Sequence, residues 1–261
     1  MIVDVTDITS LELPPLHESL TWLTPLSEER AAHLVTFLSD PAPTDVLDMG
    51  CGWGELLLRV VEAVPHARGR GVDRSPAFIE RARQQARSRG LDDRVILDLI
   101  PGMEAQATAA DGVICIGASQ IWGPPVEDAQ PLDYGAALRA LRDLVRPGGR
   151  LVYGEAIWMT PPHPAATAPL SGRDDEFLAR DAVREQILAA GFEVVDDNEA
   201  TLEEWDVFEA GFREGYSRWL EAHDADHPAA AQVRQDYEDQ RAAYEDGYRG
   251  VLGMAYFCLQ G

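Results

Sequence analysis

The chain has 261 residues, of which 46% are hydrophobic and 26% are charged, and these proportions are typical of a folded globular protein. Its 22 basic residues, all of them arginine, stand against 45 acidic residues and give a formal net charge of −23. Because a protein that binds a phosphate backbone needs a basic surface, this charge disfavours nucleic acid as a partner.

A membrane protein and a disulfide-stabilised protein are also disfavoured. No apolar run reaches the roughly 18–20 residues of a membrane-spanning helix, and residues 1–10 carry Asp4 and Asp7 where a secretory leader would be basic and then apolar. The three cysteines stand far apart without a CxxC pair. We therefore expect a cytoplasmic protein without a membrane partner, while the oligomeric state stays open.

Short apolar runs alternate with helical patterns along most of the chain, which predicts an α/β fold with a seven-stranded, mostly parallel sheet and helices on both faces. The predicted strands are 44–49, 68–73, 94–99, 112–117, 150–157, 192–196 and 254–259. The predicted helices are 27–39, 55–64, 76–89, 134–145 and about 181–191. Residues 159–173 hold four prolines, which predicts an ordered irregular loop at the carboxyl edge of the sheet, where open α/β folds bind ligands.

An insertion separates the last two predicted strands. Within residues 201–250, aromatic residues recur every three or four positions, as Trp205, Phe208, Phe212, Tyr216 and Trp219 and then as Tyr237, Tyr244 and Tyr248. This spacing predicts two helices whose aromatic faces pack onto the core. We predict four regions: 1–43 as an N-terminal helical lid, 44–200 as the core, 201–250 as a two-helix cap over the substrate, and 251–261 as the final core strand.

A glycine-rich loop joins the first predicted strand to its helix. Gly50, Gly52 and Gly54 alternate there with other residues, and glycines at such a turn allow positive φ and a close approach of a ligand to the main chain. Asp73 ends the next strand, where a carboxylate can accept hydrogen bonds from both hydroxyls of a ribose. Together these features predict a nucleoside ligand.

The spacing of the glycines distinguishes between nucleoside ligands. Dinucleotide-binding folds use G-x-G-x-x-G and place pyrophosphate at a helix N-terminus, whereas this loop has G-x-G-x-G. Glu55 opens the following helix and would repel a pyrophosphate. An NAD-type oxidoreductase is therefore the second alternative.

At these residues the sequence resembles the class I, Rossmann-like methyltransferases that use S-adenosylmethionine, over about residues 44–200 and the last strand. The turn Arg146-Pro147-Gly148-Gly149-Arg150 matches the family's turn before the fifth strand. More narrowly, Gly154-Glu155 with Trp158, together with Glu204-Trp205-Asp206, resembles a bacterial subgroup that methylates small molecules.

The resemblance implies how the cofactor is held. The loop would pass beneath its methionine part, Asp48 would reach its ammonium group and Asp73 its ribose. The implied cofactor contacts are Asp48, Gly50, Cys51, Gly52, Gly54, Asp73, Arg74, Gly102, Met103 and Gly117. Where the family often has an acid for the adenine amino group, this chain has Pro101, so main-chain groups around Gly102 and Met103 are expected to serve instead.

Methyl transfer from a sulfonium requires alignment of the acceptor and exclusion of water, and a base where the acceptor is a hydroxyl or an ammonium group. Glu155, at the end of the fifth strand, is the first candidate base, with a structural carboxylate as the alternative. His163 in the proline-rich loop is the second, with an exposed loop histidine as the alternative. The candidate acceptor-binding residues are Trp22, Gln120, Trp122, Trp158 and Trp205.

The sequence thus predicts methylation of a small molecule on oxygen or nitrogen. A non-catalytic regulator or partner subunit that binds the same cofactor is the alternative from another class. His223 and His227 are four residues apart, but Pro228 beside them favours a connection between helices over a metal pair, so no metal site is predicted.

Overall fold

A computed structural model of the chain describes residues 17–101, 104, 105, 107–123 and 130–261. It contains one seven-stranded sheet in the order β3-β2-β1-β4-β5-β7-β6. The strands are β1 Asp45–Met49, β2 Arg68–Asp73, β3 Val95–Leu99, β4 Ala110–Ile116, β5 Val145–Trp158, β6 Glu193–Glu199 and β7 Leu252–Gln260. The first five run parallel, whereas β7 pairs antiparallel with both β5 and β6. The predicted fold class is confirmed.

Within the described residues, eight α-helices lie before or between the strands. They are α1 Glu28–Ser39, α2 Glu55–Ala63, α3 Pro76–Ser88, α4 Tyr134–Leu144, α5 Pro164–Thr167, α6 Arg180–Ala189, α7 Leu202–Ala222 and α8 Ala230–Ala242. A π-helix, Ala243–Tyr248, follows α8 directly. The irregular loop predicted over 159–173 contains α5, a single turn with proline at its first position.

Side chains alternate between the two faces of the sheet, so each strand contributes residues to the hydrophobic cores on both faces. On β1, Val46 belongs to the core that packs against α1, α2 and α3. Leu47 and Met49 belong to the opposite core, which packs against α4 and α6. Neighbouring acids at strand ends can therefore point to opposite faces of the sheet.

The sheet order creates the crevice that positions the site. The chain crosses from β3 at one edge to β4 beside β1, so the loops after β1 and β4 diverge at their carboxyl ends. Open α/β sheets bind their ligands at such a switch point. The glycine loop follows β1, and the Ser119–Ile121 turn follows β4.

The insertion between β6 and β7 forms the two predicted helices. Thr201 begins α7 with a reciprocal capping box to Glu204. Tyr216 and Trp219 of α7 pack against Val233 of α8 in a small core of their own. Among the described residues, no helix combines the length and apolar composition needed to cross a bilayer.

Candidate active site

The glycine loop has the backbone that its sequence predicts. Gly50, Gly52 and Gly54 have φ values of +74°, +55° and +72°, a region that favours glycine. Space is also limiting, since a Cβ on Gly50 would lie 2.4 Å from the Cβ of Ala118, and one on Gly52 would lie 2.6 Å from Cδ1 of Leu23. Larger residues are therefore disfavoured at both positions by backbone strain, and at Gly50 also by contact with Ala118.

Asp73 connects the end of β2 to this loop. Its Oδ2 accepts a hydrogen bond from the Gly52 amide at 2.8 Å, and its Oδ1 accepts one from the Ser75 amide at 2.8 Å. The side chain is half-buried, and its carboxylate keeps lone pairs that these two amides do not use. The loop and the predicted ribose acceptor thus form one hydrogen-bonded unit.

Asp48 lies in the wall of the same cleft with only 4% of its surface exposed. Burial, and then the nearby charge of Asp73, raise the pKa of Asp48 to about 8. Among the residues that the structure describes, Asp48 forms no ion pair. A bound cation would lower this pKa, because an opposite charge favours the ionised carboxyl.

The remaining cofactor candidates differ in their setting. Gly117 has φ +62° and open space where a Cβ would lie, so a ligand can approach its main chain. Burial raises the pKa of the Cys51 thiol well above its usual range, so the thiol is protonated. Arg74 is exposed. Gly102 and Met103 lie outside the described residues.

The acid nearest the expected adenine position is already paired. Asp98 accepts a hydrogen bond from Nε of Arg70 at 2.8 Å. Asp98 belongs to β3, and the contacts to adenine by main-chain groups stay a prediction.

A segment that precedes α1 crosses the cleft, and we call residues 17–26 the strap. Trp22 of the strap is buried, donates from Nε1 to Glu28 at 3.2 Å and lies under the guanidinium of Arg59 at 4.6 Å. The cleft between strap and loop has a volume of about 80 Å³. Trp22 lines this cleft, and its contact with the acceptor stays a prediction.

Glu155 is buried beneath the turn after β4. Its Oε2 accepts from the Ser119 amide at 3.1 Å and its Oε1 from the Ala156 amide at 3.0 Å. By strand alternation it shares a face with Tyr153 and Ile157, the face opposite Asp48. Burial raises the pKa of Glu155. These contacts favour the structural alternative over the base, and the catalytic role stays a prediction.

His163 caps a helix instead of lining the cleft. It is exposed, and its Nδ1 accepts from the Ala166 amide at 3.3 Å at the start of α5. Neither the strap nor the glycine loop contacts it through a hydrogen bond. Its role as a base also stays a prediction.

Among the predicted acceptor residues on the β4 and β5 side, Gln120 is exposed and donates to the carbonyl of Gly117 at 3.3 Å. Trp122 is half-buried against the α4 core. Trp158 is buried, donates to the carbonyl of Asp174 at 2.9 Å and packs its ring against Phe177. Gln120 is the one of these three that is exposed at the turn after β4.

Aromatic rings connect the cap to the glycine loop. Trp205 contacts Phe208, which contacts Phe212, with centroids 6.1 and 5.0 Å apart. His17 of the strap continues the series, 5.3 Å from Phe212 and 6.5 Å from Trp53 of the loop. Burial and the charge of Arg81 lower the pKa of His17, so the ring is neutral near pH 7.

Sequence reasoning missed His17. It stands 36 positions before Trp53, and no local spacing connects the two. His223 and His227 lie in the connection between α7 and α8, where His223 stacks on Trp219 with centroids 4.0 Å apart.

Comparisons with known proteins identify the family. A family model described as a methyltransferase domain matches residues 47–151. The uncharacterized protein YjhP of Escherichia coli K12 is 30% identical over 240 residues, covering 90% of this chain and 92% of YjhP. Its X-ray structure has a TM-score of 0.77 at 27% identity, covering 94% of this chain and 96% of that chain.

Two further solved structures contain a product of the cofactor. S-adenosylmethionine-dependent methyltransferases from Geobacter sulfurreducens and Thiobacillus denitrificans, both in complex with S-adenosylhomocysteine, have TM-scores of 0.80 and 0.78. They are 27% and 26% identical to this chain, and each alignment covers 94% of this chain and 95% of the other. The oxidoreductase and the non-catalytic alternatives are therefore set aside. The chain belongs to the same family as YjhP and is a class I, Rossmann-like methyltransferase that uses S-adenosylmethionine.

Proposed function

We propose that the enzyme transfers the methyl group to a small-molecule acceptor, on oxygen or nitrogen, in a pocket between the glycine loop and the helical cap. The observation that carries the proposal is the aromatic series from Trp205 to Trp53, in which rings of the cap, the strap and the loop pack edge to face. We infer that this series forms an aromatic wall of the pocket, which suits a compact, partly apolar ligand. A net charge of −23 further disfavours polyanionic acceptors.

The residues at the loop fit the cofactor. The three positive-φ glycines carry no Cβ that would block an amino-acid tail, and the buried Asp48, which forms no ion pair within the described part of the chain, is suited to an ammonium group. Asp73 retains lone pairs for the ribose hydroxyls while its hydrogen bond to Gly52 fixes the loop. The bound cofactor supplies an electrophilic methyl group on a sulfonium.

The chain's own contribution is alignment and exclusion of water. The strap and α7 shield the cleft from solvent, which strengthens the interactions of the two aspartates within it. We assign Glu155 a positioning role: by holding the Ser119 amide, it fixes the turn that carries Gln120 on the acceptor side. Orientation of the acceptor by this turn supplies part of the rate enhancement.

Methyl-labelled cofactor tests the proposal. A bacterial extract is divided by ultrafiltration into a metabolite fraction and a macromolecular fraction, and each is incubated with the enzyme. We expect label to enter the metabolite fraction, with formation of S-adenosylhomocysteine, and an Asp73→Ala enzyme to serve as the control. Labelling confined to nucleic acid or protein would contradict a small-molecule acceptor.

A panel of phenols, hydroxy acids and primary amines then separates oxygen from nitrogen as the methylated atom. Mass spectrometry of the product locates the added methyl group. A product methylated on sulfur or carbon would overturn the assignment to oxygen or nitrogen.

A further inference from the structure

The strap occupies the space over the glycine loop. Leu23 Cδ1 lies 2.6 Å from the position that a Cβ on Gly52 would take, so this side chain covers the face of Gly52 that is open to a ligand. The cleft left between strap and loop has a volume of about 80 Å³. Pockets for small ligands measure about 300–1,000 Å³. With the strap in this position, the space beside Gly52 and Asp48 is smaller than a pocket that holds a small ligand.

Arg81 connects the strap to α3 and to the glycine loop. Arg81 of α3 donates from Nη1 to the carbonyl of His17 at 3.0 Å and from Nη2 to that of Leu20 at 2.9 Å. Its guanidinium lies 3.7 Å from the ring centroid of Trp53 in the loop. Trp53 in turn donates from Nε1 to the carbonyl of Thr21 at 2.9 Å. These contacts hold the first half of the strap against the loop.

The second half is attached elsewhere. Thr24 hydrogen-bonds to the hydroxyl of Tyr256 at 2.9 Å, and the same hydroxyl donates to the carbonyl of Pro25 at 2.8 Å. Tyr256 belongs to β7 and is fully buried, so this end is fixed to the sheet. Breaking the Arg81 and Trp53 contacts would remove the hydrogen bonds that hold residues 17–21 against α3 and the loop, while Trp22 keeps its contacts with Glu28 and Arg59 and the attachment at Thr24 and Pro25 remains.

We propose that the strap is a gate for the cofactor, that Arg81 is the positioning residue that closes it, and that Leu23 must leave Gly52 before the amino-acid tail can bind. The inference rests on the proposed placement of that tail over the glycine loop. Closure after binding would retain the cofactor, so the gate controls both association and release. Arg81 acts through the main chain of the strap and does not itself contact the reacting atoms.

Two ligands that differ only in the tail test the role of Leu23. S-adenosylhomocysteine carries the amino-acid tail, whereas 5′-methylthioadenosine lacks it. Calorimetry on Leu23→Ala should show about fivefold tighter binding of S-adenosylhomocysteine, because the binding-competent population rises, and unchanged binding of 5′-methylthioadenosine. Equal changes for both ligands, or weaker binding of the first, would overturn the role of Leu23.

The kinetics of S-adenosylhomocysteine binding test Arg81. Stopped-flow tryptophan fluorescence on Arg81→Gln should show association and dissociation rate constants that both rise by about tenfold, since a charged hydrogen-bond donor to the closed strap is lost. General destabilisation would instead slow association and speed dissociation. Arg83→Gln is the matched control, because Arg83 lies on the same helix and donates to the carbonyl of Leu97 at 2.7 Å, away from the strap.

The outcomes separate this inference from the proposed function. If the wild-type protein binds S-adenosylhomocysteine and Arg81→Gln leaves both rate constants at the Arg83→Gln values, the gate is wrong and the cofactor site stands. If Asp73→Ala and Asp48→Asn leave cofactor binding unchanged, the placement over the loop is wrong, and the gate fails with it.

Discussion

Asp48 and Glu155 are two buried carboxylates at the carboxyl ends of strands, yet their surroundings differ in kind. Glu155 uses both oxygens on main-chain amides of the chain itself. Asp48 forms no ion pair among the described residues, lies near Asp73 and has a pKa raised to about 8. The first carboxylate stabilises a turn, whereas the second carries an electrostatic cost that a bound cation would relieve.

An acid at the end of a strand therefore does not by itself indicate catalysis. The two side chains emerge on opposite faces of the sheet, Asp48 toward the glycine loop and Glu155 toward the turn after β4. Glu155 is 4% exposed and, unlike Asp48, does not line the cleft between strap and loop, so a ligand in that cleft does not reach it. Substitutions at the two sites should therefore change different quantities.

The largest expected effect is at the cleft. Asp73→Ala removes the acceptor for the Gly52 and Ser75 amides and the proposed ribose contact, so the affinity for S-adenosylhomocysteine should fall about a hundredfold or more. Isothermal titration calorimetry measures this affinity. Asp98→Ala is the control, because that carboxylate pairs with Arg70 nearby. Similar losses in both variants would contradict the assignment of Asp73.

Asp48 should make the stability of the ligand-free protein depend on pH. Its pKa is about 8 in the fold against an ordinary value of 3.8, so between these values the unfolded chain ionises the carboxyl more readily. The free energy of unfolding should therefore fall by up to about 1.4 kcal/mol per pH unit from pH 4 to pH 8. Denaturant titrations of wild type and Asp48→Asn isolate this contribution, which the variant should lack.

The same carboxyl should influence ligand binding. In wild type the affinity for S-adenosylhomocysteine should rise as pH approaches 8, because the ammonium group binds best to ionised Asp48. Asp48→Asn should bind about tenfold more weakly at pH 8 and show a flatter pH profile. Asp45→Asn, at the start of the same strand, is the control. A pH profile that is identical in the Asp48 variant and wild type would exclude Asp48 as the ammonium ligand.

At the other carboxylate the main effect should be on stability. Glu155→Gln replaces one acceptor oxygen with an amide nitrogen, so the free energy of unfolding should fall by about 1 kcal/mol while the affinity for S-adenosylhomocysteine is retained. Tyr153→Phe, which loses the hydrogen bond to Ser119 Oγ at 2.7 Å, tests the same turn independently. If Glu155 is a general base, turnover would instead fall about 10²–10⁴-fold in a pH-dependent manner, without a matching effect of Tyr153→Phe.

The smallest effect is expected at His163. His163→Ala should lower the free energy of unfolding by about 0.5 kcal/mol through loss of the cap, while His163→Asn, a residue favoured at helix N-termini, should preserve it. Turnover should be unchanged in both. A large loss of turnover in both variants would restore the histidine as a base.

Local patterns predicted the elements closely. The fifth strand is the clearest exception: it begins at Val145, five residues before the expected start, because Val145 pairs with Ala110 across the Arg-Pro-Gly-Gly turn. The sixth strand continues to Glu199 rather than ending at residue 196, because its polar residues face an antiparallel neighbour that no local pattern reveals. Pairing across the sheet decided both boundaries.

The sequence by itself determined the fold class, the glycine loop and the acid that follows it, because these depend on periodicity, on turn residues and on short spacing along the chain. Only the tertiary structure decided that Asp48 and Glu155 face opposite ways, that His17 joins the aromatic wall and that Leu23 covers Gly52. Each of these depends on contacts between residues far apart in the chain. The electrostatic environment of a carboxyl group depends on such contacts, and a linear pattern does not contain them.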